Sequence, residues 1–163
     1  KPLMGSFTGI YSDKWGALSD IPDNAQIGIY RDSTNQHRAL KLAEEEGLLI
    51  LSDVEEGSLY TLLDIKDNPK NIELIPLDGP GLTSGLGDLD AVFQASTSMF
   101  KAGKDPKKYL ATEKDNKQYG IGLVVNDENK DDEWVESFVK AFNTEDTKNK
   151  INDIYKGSFM IFE

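Results

Sequence analysis

The sequence predicts an α/β protein, in which an open, mainly parallel sheet is flanked by helices and followed by further helices at the C-terminal end. Three observations carry this. Short β-favouring runs alternate with segments of helical periodicity, and parallel neighbours need such crossover connections. Capping residues, glycines and prolines punctuate the alternation where helices start and stop. With 38% hydrophobic residues in 163, including 7 Phe, 6 Tyr and 2 Trp, the chain has the apolar material for a core of ordinary domain size.

Ser6-Phe7-Thr8-Gly9-Ile10-Tyr11 reads as a strand. Ile27-Gly28-Ile29-Tyr30 is a second strand, and Ser33 and Gln36 beyond it have capping-box spacing. The helix they open is expected over 34–46, burying Ala39, Leu40, Leu42 and Ala43, with Gly47 closing it in a left-handed conformation. Apolar chain follows at 48–51. Leu59, Leu62, Leu63 and Ile65 have roughly helical spacing, so a short helix is expected over 58–66, ended by Asn68-Pro69. Residues 72–77 read as a strand, with Pro76 tolerable only at an edge or at the strand's exit. Asp78-Gly79-Pro80-Gly81 reads as a turn and 82–87 as a brief helix. A buried strand at 89–94 leads into a helix at 96–102, and 119–126 reads as the last strand. Trp134, Val135, Phe138, Val139 and Phe142 form one apolar stripe on a helix that begins at Asp131-Asp132-Glu133, where the macrodipole favours acids. A last helix over 144–156 is expected to bury Ile151, Ile154 and Tyr155 before Gly157 stops it.

Charge and composition remove several function classes. Eighteen Lys and Arg against 29 Asp and Glu leave a net charge of −11, a field that repels nucleic-acid backbones and anionic lipid headgroups. Without cysteine there is no disulfide framework, thiol nucleophile or thiolate metal site. The one histidine, His37, has no metal-ligand spacing around it and is given no role, so neither metal nor cofactor is expected. GxSxG and P-loop patterns are missing, and acidic runs such as Glu44-Glu45-Glu46 read as solvated helix faces. Catalytic residues are accordingly none.

The candidate site is Asp32-Ser33-Thr34-Asn35-Gln36-His37-Arg38. A helix start offers free amides and positive potential. Arg38 on the first turns can grip a carboxylate in two parallel hydrogen bonds, while Asn35, which shares its face, and Thr34 can add neutral contacts. In open α/β sheets this loop lies beyond the carboxyl ends of the strands, where ligands sit. The alternative is an ordinary ion pair between Arg38 and Asp32 or Glu45.

These residues also carry a resemblance. Ile29-Tyr30-Arg31-Asp32-Ser33-Thr34-Asn35-Gln36-His37-Arg38-Ala39-Leu40 resembles the "IPNDPTNQGRAL" signature of the NlpA-type, methionine-binding lipoproteins. Asp64-Ile65-Lys66-Asp67-Asn68-Pro69-Lys70-Asn71 resembles the family's "DIxxNPKN", Asp88-Leu89-Asp90-Ala91 its "DVDAA", and the tail its closing "KG". Almost the whole chain is covered, in order.

The resemblance implies a periplasmic-binding-protein-like (type 2) fold and a two-lobed receptor delivering an amino acid to an ABC importer, with no catalysis. Residues 1–12 would be a crossover strand from the first lobe, 13–117 the second α/β lobe, and 118–163 the return strand and C-terminal helices of the first. It implies that Arg38 clamps the ligand carboxylate, with Asn35 in support. The family's pocket asparagines become Ala95 and Thr97, leaving Ser96, Thr97 and Ser98 to bond an ammonium or carboxamide. The family's location is extracytoplasmic and lipid-anchored. The chain is read as a fragment or processed product, its signal peptide and lipidated cysteine lying outside it. The stripe from Trp134 to Phe142 would then lack its usual partner and either fold back on the second lobe or form a homodimer through the C-terminal helices. The competing function is an interaction module that has lost ligand capture.

Overall fold

The computed structural model describes residues 2–162. The strands are β1 (Pro2–Ser6), β2 (Thr8–Tyr11), β3 (Gln26–Tyr30), β4 (Ile50–Leu51), β5 (Ile65–Asp67), β6 (Glu73–Leu77), β7 (Ala91–Ala95), β8 (Ala111–Thr112), β9 (Ile121–Gly122) and β10 (Phe159–Ile161). The helices are α1 (Ser33–Glu45), α2 (Gly79–Gly85), α3 (Ser96–Lys101), α4 (Glu133–Phe142) and α5 (Glu145–Tyr155).

A five-stranded sheet of order β6-β3-β7-β2-β8 forms the larger layer. The α/β class holds, and the sheet is mixed: β6, β3 and β7 run parallel, while β2 and β8 add on antiparallel. Pro76 is tolerated because β6 is an edge strand. One face of the sheet packs on α1 through Ala39, Leu40, Leu42 and Ala43, all buried with Ile27, Ile29 and Phe93. The other face buries Tyr11, Tyr30, Leu82, Leu86, Val92 and Met99. Gly28 lies under that second layer, where a Cβ would stand 2.8 Å from Leu82 Cδ2.

A second, three-stranded sheet of order β10-β1-β9 is all antiparallel. What reads in the sequence as one strand from Ser6 to Tyr11 is therefore two. β1 belongs to the small sheet and β2 to the large one, with Phe7 between them. The chain crosses back between β8 and β9, through a 3-10 turn at Lys117–Tyr119.

Several expected elements differ. α1 starts one residue earlier than expected: Asp32 is the N-cap, accepting from the Asn35 amide at 2.9 Å, and Gln36 is buried and donates to the Tyr30 carbonyl at 2.8 Å. Its end is as expected, with Gly47 at φ +72° and hydrogen bonds from Gly47 N to Glu44 O and Leu48 N to Ala43 O, the paired pattern of a Schellman cap. No helix forms over 58–66. Thr61 and Asp64 cap each other around a single 3-10 turn, Leu63 is left 94% exposed, and Ile65 pairs with Leu51. α2 starts three residues before the expected helix, because Asp78 caps it and Pro80 fits its first turn. Of 119–126 only Ile121–Gly122 is strand, and β10 is the last strand.

α4 forms as expected but none of its residues is buried, and Trp134 is 51% exposed. It packs on α5. Ile154 and Tyr155 are exposed rather than buried.

Candidate functional site

The helices α1, α2 and α3 all begin at the same end of the large sheet, following directly from β3, β6 and β7. The side chains there are cross-linked. The Tyr30 hydroxyl donates to Gln94 Oε1 and accepts from the Ala95 amide at 2.8 Å. Gln94 Nε2 reaches the Gly79 carbonyl at 2.8 Å and Thr83 Oγ1 at 2.9 Å. Burial pushes the Tyr30 hydroxyl up to about 12, so it stays a proton donor at neutral pH.

Thr34 and Asn35 lie on the first turn of α1, outside this cross-linked group. Thr34 is exposed. Asn35 Nδ2 is spent on both carboxylate oxygens of Asp32, at 3.1 and 3.2 Å. The start of α1 is thus satisfied and charge-balanced by Asp32, and the open helix terminus expected from the sequence is filled.

Arg38 is held in a second cluster, at the crossings between the two sheets. Its Nε donates to Glu113 Oε1 at 2.9 Å, its Nη2 to Glu113 Oε2 at 2.6 Å and to the Ser6 carbonyl at 3.1 Å. The guanidinium carbon lies 4.1 Å from the centre of the Tyr119 ring, a cation–π geometry. Both partners of the pair are nearly buried, with side chains 11% and 8% exposed. The pairing with Asp32 or Glu45 weighed from the sequence is absent among the described residues; the partner is Glu113, 75 residues away. The two-bond grip that a solute carboxylate would need is already taken, and the niche beside it, at about 20 Å³, has room for about one water. Nη1 makes no hydrogen bond among the described residues.

Ser96 and Thr97 do meet Arg38's cluster, through Ser6. The Ser6 hydroxyl lies 3.1 Å from both Ser96 Oγ and Thr97 Oγ1. Ser96 is fully buried, donating to the Ser158 carbonyl at 2.7 Å and accepting from the Phe7 amide at 3.2 Å. It fastens the two sheets together and is closed to a ligand. Thr97 instead lines a cleft of about 390 Å³ between α3 and the strands of the small sheet, with Ser6, Phe100, Lys101, Ile121, Tyr155 and Phe159. Among the described residues no group of His, Cys, Asp or Glu is arranged to hold a metal.

Glu113, Tyr119 and Ser6 are missed by sequence reasoning, because each reaches the site only through long-range pairing. Two motif residues have structural jobs. Asp90 accepts from the Gln26 amide at 2.9 Å and Trp15 Nε1 at 3.3 Å, tying the starts of β3 and β7. Asn68 brackets Ile72 with hydrogen bonds to its amide and carbonyl.

Comparison with known proteins gives one consistent answer. The family model described as NlpA lipoprotein matches residues 6–161. The D-methionine-binding lipoprotein MetQ of Escherichia coli K12 is 31% identical over 150 residues, which are 90% of this chain and 55% of that protein. Outer membrane lipoprotein 2 of Mannheimia haemolytica is 33% identical over 148 residues, 90% of this chain and 53% of the relative. The chain spans about half the length of the curated relatives it matches. Among solved structures, a nutrient-binding protein from Burkholderia cenocepacia bound to methionine superposes with a TM-score of 0.83 at 31% identity, covering 99% of this chain and 68% of that one. The substrate-binding protein of a methionine transporter from Streptococcus pneumoniae gives 0.78 at 28% identity, covering 100% and 68%.

Proposed function

Since the chain belongs to the NlpA lipoprotein family, we propose that it is part of an extracytoplasmic, lipid-anchored solute receptor that captures methionine or a related amino acid for an ABC importer. The observation that carries this is the cleft lined by Thr97. Its volume of about 390 Å³ falls within the range of small-molecule sites. Phe100, Tyr155 and Phe159 give it an apolar wall suited to a thioether or aliphatic side chain, and Ser6, Thr97 and Lys101 give hydroxyls and an ammonium at its rim. Arg38 stands behind Ser6, whose carbonyl it holds; Arg38, Thr34, Asn35 and Ser96 are assigned no direct contact.

The reading is binding without reaction. The large sheet with its helices, from β2 to β8, acts as one lobe, and the small sheet with α4 and α5 belongs to the other. A solute touching both sides of the cleft favours the closed arrangement, and an ABC permease reads that population shift. A second reading, an interaction module dimerising through its C-terminal helices, is favoured by one observation, the exposure of Trp134 and Phe138 on α4.

The test is thermal unfolding in the presence of each free amino acid. A solute at a hundredfold excess over its Kd stabilises by about 2.7 kcal/mol, and Thr97→Val with Lys101→Ala should remove the shift seen for methionine. A panel in which no amino acid raises Tm contradicts the receptor reading.

A further inference from the structure

The two sheets are joined by two crossings, Phe7 between β1 and β2, and the segment after β8 that leads through the Lys117–Tyr119 turn to β9. A single side chain touches both. Arg38, on α1 of the large sheet, donates to the Ser6 carbonyl on the first crossing at 3.1 Å and to both Glu113 oxygens on the second at 2.9 and 2.6 Å. It also covers the Tyr119 ring at the far end of the second. The carboxylate it holds reaches back across, since Glu113 Oε2 accepts the Thr8 amide at 2.8 Å. Asn116 closes the loop by donating to the same Ser6 carbonyl at 3.0 Å.

We propose that Arg38 is the positioning residue of the hinge: one guanidinium fastens both crossings, and the angle between the sheets is set through it. The chemistry suits that task. A planar fork with donors along two edges can hold a carboxylate and a carbonyl at once, which a lysine ammonium on its flexible stem does not do with fixed geometry. The consequence for solute capture rests on the receptor reading above, because Ser6, whose carbonyl Arg38 holds, lines the proposed solute cleft. The fastening itself does not rest on it.

Amide hydrogen exchange on the solute-free protein tests the fastening. The reporters are Thr8 and residues 113–119, and the reference is β3, whose protection follows global stability. In Arg38→Lys the crossings should exchange at least tenfold faster, and by at least as large a factor as β3, whose change reports the loss of global stability. Glu113→Gln, close to isosteric, should do the same and serves if the lysine variant does not fold. Crossings as protected as in the wild type, or crossings that accelerate less than β3, would overturn the proposal. Loosened crossings in a protein that binds no amino acid would support the hinge role while refuting the receptor reading.

Discussion

Removing Glu113 isolates the energetic weight of the Arg38 cluster. Glu113→Ala deletes three accepted hydrogen bonds, from Arg38 Nε at 2.9 Å, Arg38 Nη2 at 2.6 Å and the Thr8 amide at 2.8 Å. It leaves a guanidinium only 11% exposed without its counter-charge. Breaking a buried pair by deleting one partner costs about 3–5 kcal/mol, because the surviving charge stays desolvated. The Ser6 carbonyl and the Tyr119 ring still contact the cation, so the lower end, about 3 kcal/mol, is expected. With a urea m-value of about 1–3 kcal/mol/M that moves the unfolding midpoint down by roughly 1–3 M. The double variant Arg38→Met with Glu113→Leu removes both charges and should recover most of the loss. Urea titration followed by tryptophan fluorescence reads all three proteins. A Glu113→Ala protein within about 1 kcal/mol of the wild type would mean that the pair behaves as a surface ion pair, and the reasoning would fail.

Other perturbations test other parts of the structure. Gly47→Ala should cost about 1 kcal/mol, since φ is +72° there while no atom lies within 4 Å of the added methyl, so the cost is conformational alone; chemical denaturation measures it. The His37 ring stacks on Tyr60 and its Nδ1 accepts the Tyr60 amide at 2.9 Å. Burial, helped by Lys41, holds its pKa below the ordinary 6.5, so the unfolded chain binds the proton first. Stability is therefore complete above pH 6.5 and falls as pH drops from there toward the folded value; a Tm-against-pH series should show this component vanish in His37→Gln. Replacing Trp134 and Phe138 by Ser should change the monomer's stability little, as both are exposed, yet abolish concentration-dependent sedimentation if α4 is the dimer contact.

How much was legible in the sequence depended on the range of the forces involved. α1 could be read because its buried stripe and the Gly47 stop are local, and Pro76 located an edge strand because a missing amide admits few alternatives. Leu59, Leu62, Leu63 and Ile65 misled because helical spacing is only a tendency, whereas the Thr61–Asp64 cap and the pairing of Ile65 with Leu51 decide the backbone. Asp78 before Gly79-Pro80 carried a usable signal, an N-cap with proline in the first turn, that a turn reading overrode. The cluster at Arg38 could not be read. The residue type and its place on α1 were visible, but its partner follows β8, and only the pairing of β2 with β8 brings that partner in. Thr97 was reachable from its motif position, yet neighbouring Ser96 looks identical in sequence and turns inward to Ser158.

The central claim, capture of a small amino acid in the cleft beside Thr97, is tested most directly by titrating isotope-labelled protein with L-methionine and following amide shifts residue by residue. Saturable changes are expected at Ser6, Thr97, Phe100 and Tyr155. A spectrum that stays unchanged at millimolar methionine, or one whose changes gather around Lys104 and Lys108, contradicts it.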